Sequence, residues 1–146
     1  MPARTAQAIW NGSLTEGTGT LTTATGALNG PYDWRARAED GTHTNPEELI
    51  AAAHAGCFNM AFSHILGGAG FTPTRLETKA VVHLEKTDGG FAITKIDLHT
   101  QGEVPGLDQA AFLEHATAAK TGCPVSKALA GTEITLEATL VETATA

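Results

Sequence analysis

Asn45-Pro46-Glu47-Glu48-Leu49-Ile50-Ala51-Ala52-Ala53-His54-Ala55-Gly56-Cys57-Phe58 is the stretch whose reading decides the fold. Asn45 is a good N-cap, Pro46 suits the first helical position, and Glu48 stands where it can complete a capping box. The pattern predicts a helix that runs through Ala, Leu, Ile, Met and Phe to Leu66 and stops at Gly67-Gly68. Its apolar residues go nearly all the way round, which marks a helix buried on most sides. In a domain this small a second subunit is the economical source of that cover, so a homodimer is expected.

Before this helix, from Thr5 to about Ala38, the chain is rich in Thr and Gly with alternating apolar residues. Ala8, Trp10 and Leu14, then Leu21, then Leu28, Tyr32 and Trp34 read as short strands. Turns are expected at Asn11-Gly12, Glu16-Gly17 and Asn29-Gly30-Pro31. After the helix, Arg75–Lys86 and Phe91–Gly102 alternate about an Asp88-Gly89-Gly90 turn as a long hairpin, its phase slipping once at Lys95 as at a bulge. Asp108 can cap a helix through Ala119 or Lys120, Cys123-Pro124 opens a short helix to Leu129, and Thr132–Val141 alternates as a strand. Thr143–Ala146 read as a frayed end. The order is βββ-α-ββ-α-α-β, an α+β fold in a single domain over residues 1–146.

The net charge of −7 argues against nucleic-acid or anionic-membrane partners, which want basic patches. Met1-Pro2-Ala3-Arg4-Thr5 carries no secretory pattern. The longest apolar run, Leu49 to Met60, is broken by His54 and Asn59 and is short for a bilayer span. A cytoplasmic location follows, where a cysteine pair is more often catalytic than structural.

The two cysteines, Cys57 and Cys123, fit no CxxC metal or redox spacing, and the six histidines show no ligand pattern, so no metal or cofactor is implied. Cys123 at a helix start, with Pro124 after it, gains from backbone N–H groups and the helix dipole. Cys57 lies about three turns into its helix, where burial alone raises a thiol pKa. Taken alone, Cys123 reads equally well as core packing, and Cys57 reads better as a core cysteine than as a nucleophile. To make Cys57 a nucleophile, positive charge must come inside. His54, one turn back, is one source; the others are Arg35 and Arg37, which as strand residues alternate on one face opposite Trp34. Glu47 is the freer of the two helix-start carboxylates to orient an arginine. Ten helical residues separate Glu47 from Cys57, roughly 15 Å at 1.5 Å per residue. One site using both requires a broken helix or a partner subunit.

Gly41-Thr42-His43-Thr44-Asn45-Pro46-Glu47, the His54-Ala55-Gly56-Cys57-Phe58 run and Gly122-Cys123-Pro124-Val125-Ser126 together resemble the OsmC/Ohr family, and Gly70-Phe71-Thr72-Pro73-Thr74 and Gly90–Ile96 are also similar. The resemblance runs from about Ala8 to Leu140, and His54 with Glu48-Leu49-Ile50 favours its osmotically inducible OsmC branch. It implies an intertwined homodimer with antiparallel sheets wrapped around central helices, and a cysteine-based reductase of organic hydroperoxides that serves as a stress-response antioxidant. It further implies Cys57 as the peroxidatic cysteine, Cys123 as the resolving cysteine that forms a disulfide with it, Arg37 with Arg35 as neighbour, and Glu47. An external dithiol, of lipoyl type in this family, is the reductant that the resemblance implies. His43 is a small departure from the family pattern. The competing reading is a non-catalytic dimeric module that binds small ligands, its cysteines passive in the core.

Overall fold

A computed structural model of the chain describes residues 1–142; the expectation for Thr143–Ala146 lies outside them. The elements are β1 (Ala6–Asn11), β2 (Thr18–Thr23), β3 (Asn29–Tyr32), α1 (Trp34–Ala38), α2 (Pro46–Gly68), β4 (Arg75–Thr87), β5 (Gly90–Glu103), α3 (Gln109–Gly122), α4 (Pro124–Ala128) and β6 (Glu133–Leu140). The fold is α+β, with two three-stranded sheets and one long helix between them in chain order. Two compact units are distinguished, Met1–Leu49 and the residues from Ile50 onward.

In the first unit β1, β2 and β3 form an antiparallel sheet in that order. Trp10, Gly19 and Tyr32 stand in register across the three strands, and the two rings meet over the glycine with centroids 5.4 Å apart. A Cβ on Gly19 would strike Tyr32 and come within 2.8 Å of the Trp10 ring, so only glycine admits this pair. The sheet has little core of its own. Among residues 1–49 only Gly19, Ala36 and Glu47 are buried, and Ile9 and Leu14 are 51% and 57% exposed.

Two local expectations change here. Asn29-Gly30-Pro31 is not a turn but part of β3, where Pro31 is tolerated because β3 is an edge strand. The chain reverses instead between Thr23 and Leu28, with Gly26 at φ +74° and the Leu28 N–H donating to Thr23 Oγ1 at 3.1 Å. The second change concerns Trp34–Ala38, a helical turn rather than a strand. Its cause is Asp33, whose carboxylate accepts from the Ala36 N–H at 2.8 Å as a helix N-cap. Arg35 and Arg37 therefore do not share a strand face.

From Ile50 onward, β4 and β5 form the long hairpin. The register shifts between His83 and Leu84, which pair with Lys95 and Ile93, so the residue left over is Thr94, next to the expected slip. β6 then pairs with β5 in parallel, making this sheet mixed rather than purely antiparallel. Phe58, Phe62 and Leu66 of α2 pack with Ile96 and Leu98 of β5 and Phe112, Ala116 and Ala119 of α3. The Phe62 and Phe112 rings meet at 5.0 Å. Each buried phenylalanine contributes roughly 1.5–3 kcal/mol.

The helix α2 is 23 residues and ends at the glycine pair that the sequence marked as its stop. By length and composition alone it could cross a membrane. One face of it packs in the core: Phe58, Phe62, Leu66 and the polar His54 are fully buried, and the hydrogen-bond partner of His54, Ser126, is buried with them. The other faces are open in one chain, with Met60 76% exposed.

Candidate functional site

In the first unit, α1 and the start of α2 bring together Arg37 and Glu47. Asn45 ties the two helices: its amide donates to the Ala36 carbonyl at 2.8 Å, while its side-chain oxygen accepts from the Glu48 N–H at 2.8 Å. Asn45 is thus the N-cap the sequence indicated. Arg37 donates to one oxygen of Glu47 through both Nε and Nη2, at 3.0 and 2.8 Å. Glu47 is buried, and its second oxygen, Oε2, has no hydrogen-bond partner among the described residues. Arg35 instead lies 3.7 Å from Glu39 in an exposed pair. Beside Arg37, the side chains of Trp10, Leu14, Tyr32, Trp34 and Pro46 line a groove of about 240 Å³ that is mostly apolar.

In the second unit the two cysteines meet. Both are free thiols, and the Cys57 and Cys123 sulfurs share a hydrogen bond across 2.9 Å. Their burial is the reverse of what the sequence led one to expect. Cys123 is fully buried at the corner between α3 and α4, whereas Cys57 is only half-buried on α2. Cys123 occupies the N-cap position before Pro124, yet its side chain makes no capping hydrogen bond.

Burial, joined by the hydrogen bond with Cys123, pushes the Cys57 thiol up. Burial acts the same way on Cys123, but the neighbouring Cys57 thiol, the Ser126 N–H and hydroxyl and the Val125 N–H outweigh it and hold that thiol below its ordinary value. The order agrees with the local reading of the sequence, in which the helix-start cysteine is the more acidic.

A second contact runs beside the thiols. His54, three residues before Cys57, places Nε2 2.8 Å from the Oγ of Ser126, three residues after Cys123. Burial lowers the His54 pKa, so this side chain is neutral and does not supply the cation that Cys57 needs. The sequence drew attention to His54 but not to Ser126; the signal available was the matching three-residue offset from each cysteine. His43, noted only as a departure, holds Asp33 at 2.8 Å and so braces the cap of α1. Among the described residues no group of three or more His, Cys, Asp or Glu side chains is placed to hold a metal ion.

Residues 39–138 match the family of OsmC-like proteins. The chain is 53% identical over 132 residues to peroxiredoxin OsmC of Escherichia coli K12, spanning 90% of this chain and 92% of that one. The crystal structure of the organic hydroperoxide resistance protein OhrB of Bacillus subtilis superposes with a TM-score of 0.68 at 30% identity, covering 94% of this chain and 98% of the other. An OsmC-like protein of Mycoplasma pneumoniae shares the fold, with a TM-score of 0.77 over 97% of this chain and 99% of that one, at 18% identity. With a thiol pair at its centre and this kinship, the chain belongs to the OsmC-like family and is a cysteine-based peroxidase.

Proposed function

We propose that the protein reduces organic hydroperoxides to alcohols through Cys57 and Cys123 and is recycled by an external dithiol. The observation that carries this reading is the pair of free thiols 2.9 Å apart, one half-exposed and one buried. The Cys57 thiolate attacks the distal peroxide oxygen; the O–O bond breaks, the alkoxide takes a proton and leaves as alcohol, and Cys57 becomes a sulfenic acid. Cys123 then attacks that sulfur, forming the disulfide and releasing water. A dithiol restores both thiols and is itself oxidised to a disulfide.

Cys57 needs a cation, because its own surroundings favour the neutral thiol. Arg37, oriented by Glu47, is the group suited to supply it. Because α2 is unbroken, Glu47 stands roughly 15 Å along the helix from Cys57. We therefore place Arg37 and Glu47 at the Cys57 of a second copy, in a homodimer. The open faces of α2 and the thinly covered sheet of residues 1–49 support that assembly, since both leave apolar surface for a partner. The apolar groove beside Arg37 suits the alkyl or aryl part of a hydroperoxide better than hydrated H₂O₂. A cysteine pair that is recycled by an external dithiol suits a reducing compartment, and the cytoplasm is where we place the protein.

Replacing each cysteine tests the assignment. Cys57→Ser abolishes turnover of cumene hydroperoxide, while Cys123→Ser still consumes one equivalent and stops as the sulfenic acid. Turnover retained by Cys57→Ser and lost in Cys123→Ser would exchange the two roles.

A further inference from the structure

Two parallel links join α2 to the α3–α4 corner. One is the thiol pair; the other is the His54–Ser126 hydrogen bond. The second is built from polar groups in a dry place: His54 is 0% exposed and Ser126 6%. A buried polar pair of this kind is tolerated only where its hydrogen bonds are satisfied.

The unpartnered atom fixes its direction. His54 Nδ1 is buried and has no hydrogen-bond partner among the described residues. If Nδ1 carried the proton, a buried N–H donor would be orphaned, which is rarer in proteins than an orphaned acceptor. The proton therefore sits on Nε2 and is donated to Ser126 Oγ. Ser126 is the third residue of the helix that Cys123 opens, a position whose side chain can reach back to the N-cap residue, and with its oxygen already accepting from His54 its one hydroxyl proton is free for the Cys123 sulfur. The titratable groups acting on Cys123 are thus Cys57 directly and His54 through Ser126, both from α2, and the hydroxyl favours the thiolate.

We propose that His54 and Ser126 form a hydrogen-bond relay that holds Cys123 ready as the thiolate of the resolving and recycling steps, His54 serving as a positioning residue through Ser126. This deepens, and rests on, the peroxidase reading above. In the resolving step the Cys123 thiolate attacks the Cys57 sulfenic sulfur. The S–S bond forms, the S–O bond breaks, and the departing hydroxide takes a proton from solvent to become water. In recycling, one thiolate of the external dithiol attacks a disulfide sulfur. Cys123 is fully buried and Cys57 is half-buried, so the accessible target is Cys57. The S–S bond breaks and Cys123 leaves with the electron pair, the departure the relay stabilises; the reductant's second thiol then displaces Cys57.

The test reads Cys123 alone. In a Cys57→Ser background it is the one remaining thiol, and its thiolate absorbance near 240 nm is titrated against pH. Adding Ser126→Ala moves the midpoint up by about one unit, a tenfold loss of thiolate below both midpoints, and Ser126→Thr, which keeps the hydroxyl, restores it. His54→Leu moves it in the same sense, and His54→Gln, which keeps a donor, moves it less. With Cys57 restored, Ser126→Ala slows disulfide formation after one equivalent of cumene hydroperoxide at neutral pH and recovers at alkaline pH. An unchanged midpoint in Ser126→Ala, whose small change tests the relay even if His54→Leu fails to fold, would overturn it. A wild-type protein that consumed no peroxide would instead end the peroxidase reading and leave the titration result standing.

Discussion

Arg37 places both Nε and Nη2 on a single oxygen of Glu47, so the other oxygen of that buried carboxylate is left without a partner among the described residues. The pairing leaves the rest of the guanidinium free for a further anion, and a thiolate or peroxide is of the right charge. Glu47 also lies in the first turn of α2, where a carboxylate is favoured by the helix dipole. Glu47→Gln removes the charge that aims Arg37 while nearly keeping the volume. Its kcat/KM for cumene hydroperoxide should fall by roughly 10- to 100-fold, the scale of a misplaced catalytic group, with about 1–2 kcal/mol lost in urea unfolding. Unaltered kinetics would remove Glu47 from the machinery.

A site shared between copies has a signature in mixed dimers. Arg37→Ala and Cys57→Ser should each be inactive alone. In a mixed dimer, one site has a sound Cys57 from the first chain and a sound Arg37 from the second. Co-expression should return roughly a quarter of wild-type activity, from half the dimers with one good site each. Activity that stays at the level of the single variants would show that Arg37 serves the Cys57 of its own chain.

Asp33 acts on the same site through the backbone. It caps α1 and accepts from His43, so Asp33→Ala frees the turn that carries Arg37. Stability should change by only about 1 kcal/mol, whereas kcat/KM should fall roughly tenfold. Asn is an equally good cap, so Asp33→Asn should retain most activity. Comparing the two kinetically separates the capping role from the charge.

His54 makes stability depend on pH with a defined sign. Its folded pKa lies below the ordinary value, so as pH falls the unfolded chain takes up the proton first. Stability is therefore full above the unfolded value of about 6.5 and declines as pH drops from there toward the folded value, by at most about 1.4 kcal/mol per pH unit. Thermal unfolding of wild type against His54→Gln between pH 7 and pH 5 checks this. The variant should lose less stability across the window; parallel curves would show that His54 protonates equally in both states.

Much of this was legible from local chemistry. Asn45, Pro46 and the glycines after Leu66 marked the ends of α2 because caps and breakers act over a few residues. The hairpin followed from alternation and a glycine turn. What misled was equally local. Trp34–Ala38 is a single helical turn, too short for any periodicity, and is set by one carboxylate of Asp33. Asn29-Gly30-Pro31 carries turn residues, but pairing with β2 overrides them. Alternation in β6 cannot reveal strand direction, so its parallel pairing with β5 was invisible. At the site, the motifs identified Arg37, Glu47, Cys57 and Cys123, and the structure pairs the first two and the last two. The link from His54 to Ser126 spans distant parts of the chain and needed the fold to appear, as did the deeper burial of Cys123.

Free-thiol titration of the reduced protein, before and after one equivalent of cumene hydroperoxide and in parallel with H₂O₂, tests the central claim most directly. The account predicts rapid loss of both thiols in each chain, faster with the organic peroxide, and full recovery with a dithiol. Thiols that survive the peroxide, or disappear slowly and without pairing, would contradict it and return Cys57 and Cys123 to a passive place in the core of a binding module.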